Sequence, residues 1–112
     1  MAIACEVHSE LRSLDLVLRR LAEKTAALAE ASGGETRTSS ILVVRSTSTT
    51  RQVAHVYAAT LQAAFPGAIR SALQALTGPT APWPGPTLVW MRLESGRVAL
   101  LDRPSRGVAV GR

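Results

Sequence analysis

Cysteine occurs once, at Cys5, in the 112 residues of this chain, which excludes an intrachain disulfide framework and any zinc or iron–sulfur site built from several thiolates. A reducing compartment is the expectation, and with it a cytoplasmic location. Aromatic residues are scarce as well, with Trp83 and Trp90 the two large flat rings, so a platform for stacking single-stranded bases is not expected. No apolar run approaches the roughly 18 residues that a membrane span requires. The first residues carry neither the basic stretch nor the long apolar one of a secretory leader, and a soluble chain with no membrane partner is expected. Acidic charge is the minority sign: thirteen basic residues, twelve of them arginine, stand against eight acidic ones for a net charge of +5. That excess suits a polyanionic partner, duplex DNA foremost, and equally suits a solvated basic face. What is plentiful is apolar surface, 46% of residues against 19% charged, enough for one folded domain over 1–112 and too much for a disordered chain.

Ala2 to His8 reads as a buried strand. Ser9 offers a cap, and Leu11, Leu14, Leu18, Leu21, Thr25 and Leu28 follow at spacings of three and four, which predicts a helix over 10–31 ending at Ser32-Gly33-Gly34. Ile41-Leu42-Val43-Val44 is too short for a helix and has the make-up of a strand buried on both faces. Strand, helix, strand implies a parallel pair, hence an α/β fold: a small mixed sheet with one parallel strand-helix-strand unit, two further helices and a C-terminal hairpin. Thr49 or Thr50 caps the second helix, predicted through residue 65 with Val53, Val56, Tyr57, Thr60, Leu61 and Ala64 inward. Pro66-Gly67 ends it, and residues 68–76 form the third. Residues 78–86 hold four of the six prolines around Trp83, a stiff connector with the tryptophan folded back as a lid on the sheet. The hairpin joins 87–93 to 97–101 through Ser95-Gly96.

Glu6 and His8, two apart on a strand, share one face, while Cys5 and Val7 take the other, with Cys5 toward the core. A carboxylate followed two residues on by a second polar group resembles the Glu-x-Lys step of nucleases with the restriction-endonuclease fold. No acidic residue precedes Glu6, and His8 stands where the lysine would, so Glu6 and His8 are the candidate metal ligands and Glu6, His8 and Arg12 the candidate catalytic set. Lys24 lies sixteen positions beyond His8, about 24 Å along a helix axis, and is expected not to reach them. The plain alternative pairs Glu6 with Arg12 and leaves His8 half-exposed. A divalent metal enters only under the nuclease reading; otherwise no cofactor is expected. Arg45, Ser46, Thr47 and Arg51 sit where a buried parallel strand gives way to a helix, a place where phosphates bind and where serine and threonine also serve as ordinary caps. Arg103, Arg106 and Arg112 in the tail are further candidates for phosphate contact. His55 and Tyr57 are read as packing or surface residues. No serine lies in a nucleophile elbow.

Glu6-Val7-His8-Ser9-Glu10-Leu11-Arg12, Arg19-Arg20, Lys24, Leu42-Val43-Val44-Arg45-Ser46-Thr47, Phe65-Pro66, Pro82-Trp83-Pro84-Gly85 and Pro104-Ser105-Arg106-Gly107-Val108 together resemble the C-terminal regions of actinobacterial helix-turn-helix regulators of the XRE type. The resemblance implies a reduced restriction-endonuclease-like core and an accessory or dimerising role beside DNA. The helix-turn-helix segment itself is absent here, so base reading is not implied for these residues. Three functions follow as expectations: a non-catalytic DNA-associated domain of a transcriptional regulator, a degenerate metal-dependent nuclease, or a protein-interaction module without nucleic acid. The open edge of the first strand adds self-association or a partner protein to each.

Overall fold

A computed structural model describes residues 1–78 and 80–104. The opening strand, β1 (Ala2–His8), has the bounds its sequence predicts. Residues 9–13 reverse the chain, and α1 (Leu14–Ala31) runs back over the strand. The helix starts at Leu14 rather than residue 10, with Ser13 in place of Ser9 at the N-cap position and making no side-chain cap hydrogen bond. Leu11 nevertheless belongs to the core, reaching it from the loop.

In β2 (Thr38–Arg45) the run Ile41 to Val44 is buried on both faces, as its composition requires. β1 and β2 are parallel, with Cys5 opposite Ile41 and His8 opposite Val44. Then come α2 (Ser48–Val56) and α3 (Ala58–Ala64), where one helix was expected. Tyr57, at φ −105° and ψ 29°, interrupts the helical backbone between them. The interruption leaves Val56, Tyr57 and Thr60 exposed, while Leu61 and Phe65 stay in the core. The expected inner face is therefore only partly realised. α4 (Ile69–Thr77) falls within a residue of its predicted span.

β3 (Thr87–Glu94) lies parallel to β2, and β4 (Arg97–Leu101) returns antiparallel to it. Ser95 and Gly96 make the turn with φ of 51° and 76°, the doubly left-handed geometry that a two-residue hairpin uses to match strand twist. The result is a mixed four-stranded sheet in the order β1-β2-β3-β4, and the class is α/β.

Period-two alternation sends alternate residues to two cores. On one face Leu42, Val44, Leu88 and Trp90 meet Leu14, Val17 and Leu21 of α1 and Leu61 and Phe65 near α3. On the other, Ile41, Val43, Val89 and Met91 are covered by Ile69 and Leu73 of α4 and by Trp83. Trp83 does fold back: its Nε1 donates to Ser39 Oγ at 2.8 Å, pinning the proline-rich connector to β2. This cover reaches β1 only at its start, where Ile3 packs partly buried against it. Cys5 and Val7, on the same face, are exposed, which corrects the inward orientation expected for Cys5. No helix among the described residues is long and apolar enough to cross a membrane.

Candidate functional site

Glu6 and His8 do share a face, beneath α1, and His8 Nε2 donates to Glu6 Oε1 at 2.9 Å. The other carboxylate oxygen accepts from the Lys24 ammonium. The reach of Lys24 is a correction with a simple geometric cause. Counting sixteen helical positions from His8 assumes that strand and helix run end to end, whereas the reversal over residues 9–13 folds α1 back along β1 and returns Lys24 to the level of Glu6. Arg12 does not pair with Glu6 either; it sits in that reversing loop and bonds Glu10, with Nε 2.7 Å from Oε2, in solvent.

The hydrogen bond from Lys24, then that from His8, hold the Glu6 carboxyl below its ordinary pKa, against the upward push of burial. A carboxyl whose folded pKa is lowered stabilises the fold above its unfolded pKa, and that contribution is lost as pH falls through the folded value. Glu6→Gln is therefore expected to cost about 1 kcal/mol near neutrality, a modest figure because Lys24 is half-exposed. The gap between variant and wild type should close in acid. Urea unfolding at a series of pH values measures it; a gap independent of pH would show that the charge on Glu6 contributes nothing to folding.

As a metal centre the pair is poorly equipped. Both Glu6 oxygens are engaged by cationic or hydrogen-bonding neighbours, and among the described residues no three of His, Cys, Asp and Glu come together in a group able to hold an ion. One carboxylate and one imidazole fall short of the several oxygen ligands that magnesium takes.

The β2–α2 junction is built by a reciprocal cap. Thr47 Oγ1 accepts from the Thr50 amide at 3.1 Å, and the Thr47 amide donates to Thr50 Oγ1 at 2.9 Å. Thr50, fully buried, also donates from its hydroxyl to the Arg45 carbonyl at 2.6 Å. Further along, Arg51 Nη1 donates to Ser46 Oγ at 3.2 Å, and the Ser46 amide donates to the Met91 carbonyl. The four residues expected to converge on a phosphate thus separate. Arg45 and Thr47 line an open groove of about 620 Å³, whereas Ser46 and Arg51 do not.

That groove lies at the carboxyl ends of β1 and β2, the end of a parallel sheet at which α/β folds bind ligands. Its walls also hold His8, Arg12 and, nearly two turns into α1, Arg20, with Glu10 as their acidic neighbour. The Arg45 side chain has no hydrogen-bond or ion-pair partner among the described residues. Arg20 was not a candidate site residue from the sequence: it stands near the middle of the helix predicted over 10–31, and it enters the groove because α1 begins at Leu14 and folds back over β1. Past Arg12 a second depression continues to Arg19, with Asp15 and Tyr57 beside it.

Arg103 does not join this groove. β4 runs antiparallel to β3, so Arg103 emerges level with the start of β3, at the opposite end of the sheet, where Asp102 takes it at 3.9 Å and Arg70 at 3.2 Å. Arg106 and Arg112 lie outside the described residues. No model of a protein family, no curated protein and no solved structure matches this chain.

Proposed function

We propose that this chain is a non-catalytic accessory domain of a transcriptional regulator, lying against duplex DNA with the groove at the carboxyl end of its sheet on the phosphate backbone. One observation carries the reading: Arg12, Arg20, Arg45 and His8 line one groove in which Glu10 is the acidic residue. Arg45 supports it most, because its charge is not spent on a carboxylate of the fold. The sequence resemblance to the C-terminal regions of helix-turn-helix regulators supplies the regulatory context. Glu6, bonded to Lys24 and His8, acts in this reading as a structural carboxylate.

Phosphate contacts release counterions, so affinity falls with salt by about 0.9 in the logarithmic slope per phosphate. Three arginines predict a slope of about −3 for duplex DNA of any sequence. Arg45→Ala should weaken binding uniformly across sequences and reduce the slope by about 1. Titration of labelled duplex across a salt series, with magnesium or manganese in parallel tubes, reads all of this at once. Absence of binding at low salt would overturn the proposal and leave a protein-interaction module. Metal-dependent cleavage that disappears in Glu6→Ala would overturn it in favour of the nuclease.

A further inference from the structure

Among the described residues, the outer side of β1 is an unpaired sheet edge seven residues long. Which of its backbone groups face outward follows from the ladder. The Ala2 amide donates to Arg37 O, one residue before its register partner Thr38, and in a parallel pair alternate residues direct both N–H and C=O to the same neighbour. Ala2, Ala4, Glu6 and His8 are therefore bonded to β2, and Ile3, Cys5 and Val7 present their donors and acceptors to the open side. Natural edges are blunted by lysine, proline, a bulge or a short length. The other edge, β4, is five residues long and opens on Arg97. β1 has no lysine, proline or bulge, its one carboxylate, Glu6, is turned under α1 and held by Lys24 and His8, and of its outward residues Ile3 packs partly buried against the second core while Cys5 and Val7 lie exposed beyond the cover of α4 and Trp83.

We infer that β1 pairs with β1 of a second copy, antiparallel and centred on Cys5, to give a two-fold dimer with a continuous eight-stranded sheet. The sequence of the strand selects this register. Centred on Cys5, each Ile3 lies opposite a Val7 and each Cys5 opposite its counterpart, and every one of these pairs exchanges both hydrogen bonds. On the other face Glu6 meets Ala4 and His8 meets Ala2, small residues against large. Centring on Glu6 instead sets two carboxylates directly opposite, a destabilising pair. Centring on Ala4 leaves two outward pairs where Cys5 gives three.

The helices permit the arrangement. α1 packs on both β1 and β2, so it stands about half a strand spacing inside the edge. With strands about 4.8 Å apart, the two α1 helices come to lie side by side about 10 Å apart, at the upper end of ordinary helix packing. Lys24, which reaches down to β1, brings no unmatched charge to the seam because Glu6 already holds it. The inference uses the β1 edge and not the arginine groove, so each can fail without the other.

Light scattering on the purified chain over a range of concentrations should give a dimer. Opposed residues of a hydrogen-bonded antiparallel pair have Cα atoms about 5.5 Å apart, inside the range that a disulfide spans, so mild oxidation should link two chains through Cys5. Val7→Pro removes one outward amide from each copy while sparing the bonds to β2. It should raise the dimer dissociation constant by about 10-fold or more, with an unchanged far-ultraviolet dichroism spectrum. Cys5→Lys, at an exposed position, sets like charges opposite each other and should do the same if the proline variant fails to fold. In a Cys5→Ser background, Ile3→Cys chains mixed with Val7→Cys chains should cross-link to each other and not to themselves. A monomer at every concentration, a dimer indifferent to both edge variants, or cross-links in another register would each overturn the proposal.

Discussion

Gly67→Ala is expected to destabilise the protein by about 3 kcal/mol, at the upper end of what overpacking costs. Gly67 lies between α3 and α4, and its amide donates to the Pro86 carbonyl at 2.9 Å. The chain there passes so close to the start of β3 that a Cβ would overlap Thr87 Oγ1 and stand 2.9 Å from the carbonyl oxygens of both Gly85 and Pro86. None of the three has room to give. Two are backbone atoms, and Thr87 is fully buried with its hydroxyl donating to Gly85 O at 2.8 Å; turning it away strands a polar group inside the fold. The φ of Gly67 is not left-handed, so the cost is one of contact and not of backbone conformation. Denaturant unfolding measures it, and a loss under about 0.5 kcal/mol, within the range of an ordinary surface change, would mean that the connector before β3 yields freely.

Thr50→Val should cost about 2 to 3 kcal/mol, although the two side chains are nearly the same shape. The threonine hydroxyl serves the Arg45 carbonyl at 2.6 Å and the Thr47 amide at 2.9 Å, and its side chain is shut off from water. Valine fills the same space and leaves both backbone groups without that partner, each at a cost of about 1 to 3 kcal/mol for a group that stays buried. Thr50→Ser, which keeps the hydroxyl and gives up one methyl, separates hydrogen bonding from packing and should retain most of the stability. If valine and serine proved equally mild, solvent would be reaching the junction of β2 with α2. The bond from Thr50 also holds the carbonyl of the residue whose side chain lines the groove, so under the proposed function the valine variant is expected to bind DNA less well even where it remains folded.

Elements whose signals are local were legible in the sequence. The span of β1, α4 and the hairpin turn at Ser95-Gly96 follow from a short apolar segment, from Pro66-Gly67 and from a dipeptide that tolerates positive φ, although of β1 only Ala4 is buried as expected. The parallel pairing of β1 with β2 follows from the helix between them. What went unread depends on chain direction and on which neighbour covers which strand. Leu11 fits the helical stripe by spacing, yet packs from a loop, and so pulls the predicted start of α1 forward. Lys24 appears remote from Glu6 by residue count and adjacent once the chain has doubled back. Cys5 is on the expected face, but the cover on that face stops at Ile3. Of the groove, Arg45 and Thr47 could be named from the strand-to-helix transition, whereas Arg20 enters only when α1 is laid over β1.

The hairpin of β3 and β4 closes over a few residues, but β2 meets β3 across 46 residues, Ile41 to Thr87. Such distant pairing makes folding slow relative to helical chains, because the entropy of closing the loop is lost before the contacts repay it. During synthesis at roughly 5 to 20 residues per second, β1, α1 and β2 leave the ribosome a few seconds ahead of β3. For that interval the strand whose Leu42 and Val44 end fully buried is itself an unpaired apolar edge. Substitutions that delay the docking of β3 should therefore lower the yield of folded protein, through aggregation on the way to the native state, by more than their effect on the finished fold accounts for.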